Sequence, residues 1–232
     1  MARRFRLFLS IVLALLVAAP VLAQPAKPVA QSTERPETRA QRGPSGATIK
    51  ILALGTSLTQ GYGLPPGTEI PVQLEAALKA SGINATVINA GVSGDTSADG
   101  LSRLDWALAD KPDAAIIELG SNDMLRGLPP ENTEKNLRGI LTKLKAAKIP
   151  VLLCGMGAQR NLGPEYVKRF DSIYPRLAKE YGVLFYPFVL EGVALKRELN
   201  QADGMHPNPA GVKVIVSKML PLVKQLVSQV KK

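Results

Sequence analysis

From Ile49 onward, short apolar runs alternate with longer stretches in which apolar residues recur every three or four positions. The short runs at Ile49–Leu54, Thr86–Asn89, Ala114–Leu119, Val151–Cys154 and Val183–Tyr186 predict strands. They are close to continuously apolar, as expected of parallel strands covered on both faces. Between and after them lie predicted helices at Ile70–Ala80, Ser97–Ala109, Asn132–Ala147, Glu165–Glu180 and Pro209 to about Val230. In the second of these Leu101, Leu104 and Leu108 follow helical spacing, and Leu104 and Trp106 are expected as packed helix positions. Five strand–helix units in alternation predict an α/β fold built on an open parallel sheet with helices on both faces. The chain shows no internal repeat and no second folded domain.

The first residues have a different pattern. Arg3-Arg4-Phe5-Arg6 is a basic stretch, Leu7–Ala19 is apolar apart from Ser10, and Val21-Leu22-Ala23 is a small-residue cleavage site. These are the three parts of a signal peptide over 1–23. The apolar run is shorter than the ~20 residues that span a bilayer. Residues 24–47 are rich in Pro, Gln, Ser, Thr and charge and predict a flexible linker, with the folded domain over 48–232. The expected location is secreted or periplasmic.

Composition narrows the chemistry. The formal charge is +10, and loss of Arg3, Arg4 and Arg6 with the signal peptide leaves +7. Basic residues are interleaved with acids, without a dense block or an aromatic ladder, so nucleic acid is not expected as a partner. A mildly basic surface is compatible with peripheral contact to a membrane or an anionic polymer. One cysteine, Cys154, and one histidine, His206, occur in 232 residues. An internal disulfide is therefore impossible, and Cys154, inside an apolar run, reads as a buried inert thiol. No zinc set can be assembled from one histidine, one cysteine and scattered carboxylates, and no cofactor is expected. The sequence leaves the oligomeric state open.

In a parallel sheet of this kind ligands bind beyond the carboxyl ends of the strands. Polar, glycine-containing runs follow three predicted strands: Gly55-Thr56-Ser57, Gly91-Val92-Ser93-Gly94-Asp95 and Gly120-Ser121-Asn122-Asp123. A fourth, Asp203-Gly204-Met205-His206-Pro207, precedes the last helix. A serine hydroxyl is a weak nucleophile until a base takes its proton, and His206 is the single histidine available. Asp203 lies three residues before it, within reach of the ring through one turn. Taken singly, each run also fits an ordinary loop, a helix cap or a turn. Gly91–Gly94 lacks the Gly-Lys-Ser/Thr ending of a phosphate-binding loop.

Together, Gly55-Thr56-Ser57-Leu58, Asn89-Ala90-Gly91-Val92-Ser93-Gly94-Asp95-Thr96, Gly120-Ser121-Asn122-Asp123 and Asp203-Gly204-Met205-His206-Pro207 resemble, in order and spacing, the motifs of the SGNH (GDSL-type) hydrolases. The likeness is greatest to the secreted thioesterase, lysophospholipase and arylesterase group and covers about 48–230. It implies a flavodoxin-like three-layer α/β/α fold with a five-stranded parallel sheet. It implies Ser57 as nucleophile, His206 as base and Asp203 as its acid, with Gly94 and Asn122 as oxyanion donors; an oxyanion needs donors already aimed at it, and Ser57 N–H is expected as a third. A small acyl-ester, thioester or lipid substrate follows from it. Two positions depart from the family pattern: Thr56 replaces an aspartate, and Ser121 replaces a glycine or alanine. Walls for an acyl pocket are expected from Tyr62–Pro66, Met124–Pro130 and Gly155–Gly163, with Met124, Leu125, Leu128 and Met156 against the substrate. A cell-wall or carbohydrate acetyl esterase, and a flavodoxin-like cofactor or ligand-binding module, remain open as alternatives.

Overall fold

Strand β1 (Ile49–Gly55) is hydrogen-bonded on both sides, to β2 (Ala85–Gly91) and to β3 (Ala114–Glu118). Beyond β3 lie β4 (Val151–Cys154) and β5 (Leu184–Tyr186), giving the all-parallel order β2-β1-β3-β4-β5. This computed structural model describes residues 47–230; the signal peptide read from the sequence, 1–23, and all but the last residue of the linker, 24–47, lie outside the described residues.

Burial follows from the sheet order. β1, β3 and β4 are interior, and their residues from Ile51 to Leu54, Ala114 to Glu118 and Val151 to Cys154 are buried without interruption. β2 is an edge strand, so Ala85 and Val87 point inward while Thr86 and Asn89 are exposed. The longer helices are α2 (Ile70–Ala80), α6 (Pro130–Ala146), α7 (Pro164–Tyr181) and α8 (Pro209–Ser228), and each buries an apolar stripe. Helices α2 and α8 pack together on one side of the sheet. On the other side α6 packs between α7 and the helix that follows β2, completing three α/β/α layers. Starts and stops are local: Asn208 caps α8 by accepting from Ala210 and Gly211 N–H, and left-handed Gly182 ends α7.

Two short helices sit on the loops that carry candidate site residues, α1 (Ser57–Gln60) after β1 and α5 (Ser121–Leu125) after β3. The helix expected over Ser97–Ala109 is broken. It forms α3 (Ser97–Ser102), α4 (Leu104–Ala107) and a 3-10 turn over Leu108–Asp110. The break falls at Arg103, whose guanidinium is drawn sideways to carbonyls at the ends of β1 and β2 and to Asp95 in the loop after β2. The helical register is lost there. Leu104 is fully buried as expected, but Trp106 is 76% exposed and is not a packed position.

The unequal burial of these neighbours gives a direct test. Trp106→Ala is expected to change unfolding free energy by about 0.5 kcal/mol or less, as for a surface position. Leu104→Ala leaves a core cavity and is expected to cost about 2–5 kcal/mol. Urea unfolding of both variants measures the difference.

Candidate active site

The carboxyl ends of β1, β2 and β3 deliver three loops to one edge of the sheet, and the turn before α8 meets them there. Each loop is fixed by its own hydrogen bonds.

Ser57 is the first residue of α1, held by the turn Gly55-Thr56. Under that turn lies Glu118, the last residue of β3, 3% exposed. Its Oε2 accepts from Thr56 N–H at 2.9 Å and from Thr59 Oγ1 at 2.9 Å; its Oε1 accepts from Thr56 Oγ1 at 3.0 Å. A Cβ at Gly55 would stand 2.0 Å from Thr59 Oγ1 and 2.6 Å from Glu118 Oε2, so only glycine fits at the strand end. Burial raises the Glu118 carboxyl above the usual range, against the opposing effect of these hydrogen bonds. Thr56 is a departure from the family pattern, and here it engages a buried carboxyl directly. The other departure meets it: Ser121 Oγ lies 3.5 Å from Thr56 Oγ1.

The turn carrying Asp203 and His206 closes on itself. Asp203 Oδ1 accepts from Met205 N–H at 2.9 Å and from His206 N–H at 3.0 Å. Its Oδ2 lies 2.6 Å from His206 Nδ1. At the other side of the ring, His206 Nε2 is 2.9 Å from Ser57 Oγ. Burial pushes the Asp203 carboxyl up, but the His206 and Met205 backbone N–H groups and the imidazole outweigh it and hold it at about 2. Gln201 N–H donates to His206 carbonyl, and the Tyr62 ring packs 4.9 Å from the imidazole. Asp203 therefore caps the turn's own backbone and binds the ring; the cap of α8 is Asn208.

The remaining two residues come from the loops after β2 and β3. Gly94 has φ +85°, in the left-handed region that favours glycine, and its N–H has no acceptor among the described residues. Asn122 Nδ2 donates to Asp95 carbonyl at 2.8 Å, leaving its second amide hydrogen free to donate. Arg126 Nη2 donates to Gly94 carbonyl at 2.6 Å. Buried Asp123 accepts from the backbone and hydroxyl of Ser97 and from Thr133 Oγ1, which fixes α5 beneath Asn122.

Ser57, Gly94, Asn122 and His206 line the polar side of a cleft of about 440 Å³, a size typical of small-molecule sites. Met124, Leu125 and Met156 line its apolar side, as the sequence suggested. Leu128 does not. Left-handed Gly127 turns the chain after α5, and Leu128 is held away from the cleft by bonds from its N–H to Asp123 carbonyl and from Tyr166 Oη to its own carbonyl. Of Tyr62–Pro66 only Tyr62 reaches the cleft. Leu58 and Ala194 also line it, and further apolar wall comes from Phe188, Leu190, Leu195 and Met205, which sequence reading missed. They lie in or beside 187–205, a stretch without the periodicity that marks an element; the signal available was the aromatic and apolar content of Phe188-Val189-Leu190 just past a strand end. Among the described residues no three His, Cys, Asp or Glu side chains gather as a metal site.

A hydroxyl hydrogen-bonded to an imidazole, whose far nitrogen is held by a carboxylate, is an arrangement able to activate the hydroxyl for attack on an acyl carbon. Comparisons with known proteins agree with this chemistry. Residues 53–214 match the model of the GDSL-like lipase/acylhydrolase family. The chain is 39% identical over 185 residues to thioesterase 1/protease 1/lysophospholipase L1 of Escherichia coli K12, covering 79% of this chain and 88% of that one. It is 41% identical over 166 residues to an arylesterase of Vibrio mimicus, covering 71% and 83%. The crystal structure of AlinE4, described as an SGNH-hydrolase family esterase, superposes with a TM-score of 0.67 at 50% identity, covering 78% of this chain and 97% of that one.

The raised Glu118 carboxyl makes stability pH-dependent in a definite direction. Between the unfolded value of 4.5 and the higher folded value, the folded state keeps a proton that the unfolded chain has lost. This contribution is present below pH 4.5 and declines as pH rises through that interval. Glu118→Gln keeps the shape and removes the ionisation, so the variant is expected to gain stability relative to wild type as pH rises from 5 to 8. Urea midpoints across that range check it; a constant difference would count against a neutral Glu118.

Proposed function

Because the chain belongs to the GDSL-like lipase/acylhydrolase family and is a serine carboxylic-ester hydrolase, we propose that it cleaves acyl esters and thioesters through an acyl-enzyme formed on Ser57. Ser57 Oγ attacks the acyl carbon while His206 Nε2 takes the hydroxyl proton. The carbonyl oxygen becomes an oxyanion that receives hydrogen bonds from Ser57 N–H, Gly94 N–H and the free hydrogen of Asn122 Nδ2. His206 then passes its proton to the leaving alcohol or thiol as the tetrahedral intermediate collapses. A water molecule enters, loses a proton to His206 and releases the acid, returning the proton to Ser57. Asp203 holds the ring and stabilises its charged form; a carboxyl at about 2 stays ionised throughout.

The observation that carries this reading is the unbroken chain Asp203–His206–Ser57 at 2.6 and 2.9 Å, opening on a cleft with an apolar wall. Met124, Leu125 and Met156 favour an acyl chain over a polyhydroxylated sugar. The names of the relatives, which include thioesterase, lysophospholipase and arylesterase, support substrates of that class. The proposed route is export, with cleavage after Ala23 and action in the periplasm or outside the cell. Peripheral contact with a lipid surface belongs to the same proposal: Tyr62, Leu125, Leu195 and Met205, four of the large apolar residues left exposed, surround the cleft. Leu195 is 98% exposed at φ +64°, a left-handed conformation uncommon for a leucine.

Variant kinetics, active-site labelling and an ester chain-length series check the proposal. Ser57→Ala and His206→Ala are each expected to lower kcat by about 10⁴-fold or more with the fold intact. Asp203→Asn is expected to retain more activity than His206→Ala, because the base survives without its orienting partner. A fluorophosphonate adduct found by mass spectrometry on any residue but Ser57 would remove the nucleophile assignment. Asn122→Ala is expected to cost about 10²–10³ in kcat with little change in KM. Assays with p-nitrophenyl esters of increasing chain length are expected to favour chains longer than acetyl.

A further inference from the structure

Arg103 takes no part in the chemistry above, yet its guanidinium joins the loops that perform it. Its Nη2 donates to Gly55 carbonyl at 3.0 Å, its Nη1 to Ala90 carbonyl at 2.8 Å and its Nε to Asp95 Oδ2 at 2.6 Å. Gly55 is the last residue of β1, two before Ser57; Ala90 is near the end of β2, four before Gly94; Asp95 directly follows Gly94. All three nitrogens of the fork are engaged, and the Arg103 and Asp95 side chains are only 18% and 13% exposed. Asp95 then passes the constraint on: its carbonyl accepts from Asn122 Nδ2 at 2.8 Å. Gly55 carbonyl also accepts from Val92 N–H at 3.1 Å, at the start of the Gly94 loop. Each of the three oxyanion donors is therefore within two residues, or one hydrogen bond, of a group that Arg103 holds.

We propose that Arg103 is a positioning residue for the oxyanion hole, setting the distance between the Ser57 turn and the Gly94–Asp95 loop through its planar three-point clamp. A lysine carries the same charge but has one nitrogen and cannot bind three separated acceptors in one plane. The helix break at Arg103 has a reason in this role. A regular helix through 97–109 would keep residue 103 in register with its neighbours, whereas the break lets its side chain run to the strand ends. Donors that are displaced by a few tenths of an ångström lose transition-state stabilisation before they lose ground-state binding.

The proposal rests on the serine-esterase reading, and the experiment separates the two. Wild type, Arg103→Lys and Arg103→Ala are compared by circular dichroism, by kcat and KM on a p-nitrophenyl ester, and by affinity for an alkylboronic acid that forms a tetrahedral adduct on serine. Expected for Arg103→Lys is a folded protein with kcat lowered by about tenfold to a hundredfold, a fraction of the loss of a whole donor. KM should stay within about threefold, and boronate affinity should fall in parallel with kcat/KM. In Arg103→Ala, guanidinium chloride at non-denaturing concentration is expected to restore part of kcat where equal sodium chloride does not. A folded Arg103→Lys with wild-type kcat would overturn the proposal, as would losses that track only the fraction of folded protein. If Arg103→Ala does not fold, the lysine variant and its boronate affinity still decide. An inactive or unlabelled wild type would instead defeat the esterase reading itself.

Discussion

The position of Ser57 depends on a carboxyl group that cannot leave the core. Glu118 ends the interior strand β3 and is covered on all sides, so its polar atoms must be satisfied locally. The partners within reach are the backbone N–H and hydroxyl of Thr56 and the hydroxyl of Thr59. Burying the glutamate therefore forces the turn after β1 to fold down onto it. That turn presents Ser57 at the top of α1, and Gly55 is the residue that lets the strand end approach closely enough. A polar group placed where water cannot reach it acts as a fixed pin for the loop above.

The same economy of hydrogen bonds recurs in the other loops. Asp203 uses one oxygen for the backbone of its own turn and the other for His206, so the carboxylate that orients the ring also shapes the segment that carries it. Asp123 is buried beneath Asn122 and binds Ser97 across the gap between the loops after β2 and β3. Arg103 joins the first two strand ends. Asn122 and His206 are each held by a neighbour that is itself tied by further hydrogen bonds, the condition for groups aimed in advance at a developing charge.

The cleft wall follows a different rule. Phe188 and Leu190 come from irregular chain beyond β5, and Met205 from the histidine turn. Such a surface is set by how the 187–205 segment lies against the sheet edge. Its backbone is tied by Asn200, whose side-chain amide donates to the carbonyls of Val193 and Lys196, and by the bridge from Asn200 to Pro207. The polar edge that carries Ser57 and the apolar wall of the cleft are thus built by different means, the first by strand ends and the second by a loop.

The sequence alone determined the alternation of strands and helices, because continuous apolar runs and helical spacing are local properties of the chain. It also determined the four motifs, since each occupies a few consecutive residues next to a strand or helix end. The Asp203–His206 contact is of this kind, a matter of one turn. What only the tertiary structure decided are relations between residues far apart in sequence. The meeting of Ser57 with His206, 149 residues away, was inferred from the presence of a single histidine and from a family pattern, not from spacing. The partnership of Thr56 with Glu118 could not be read, because a glutamate at the end of an apolar strand gives no sign of which loop it will face. The break at Arg103 and the exposure of Trp106 went against the local leucine spacing, since three distant acceptors outweigh the preference of one helical turn. Leu128 was misplaced for a similar reason: Gly127 reverses the chain, and hydrogen bonds to Asp123 and Tyr166, invisible in a linear pattern, carry it away from the cleft.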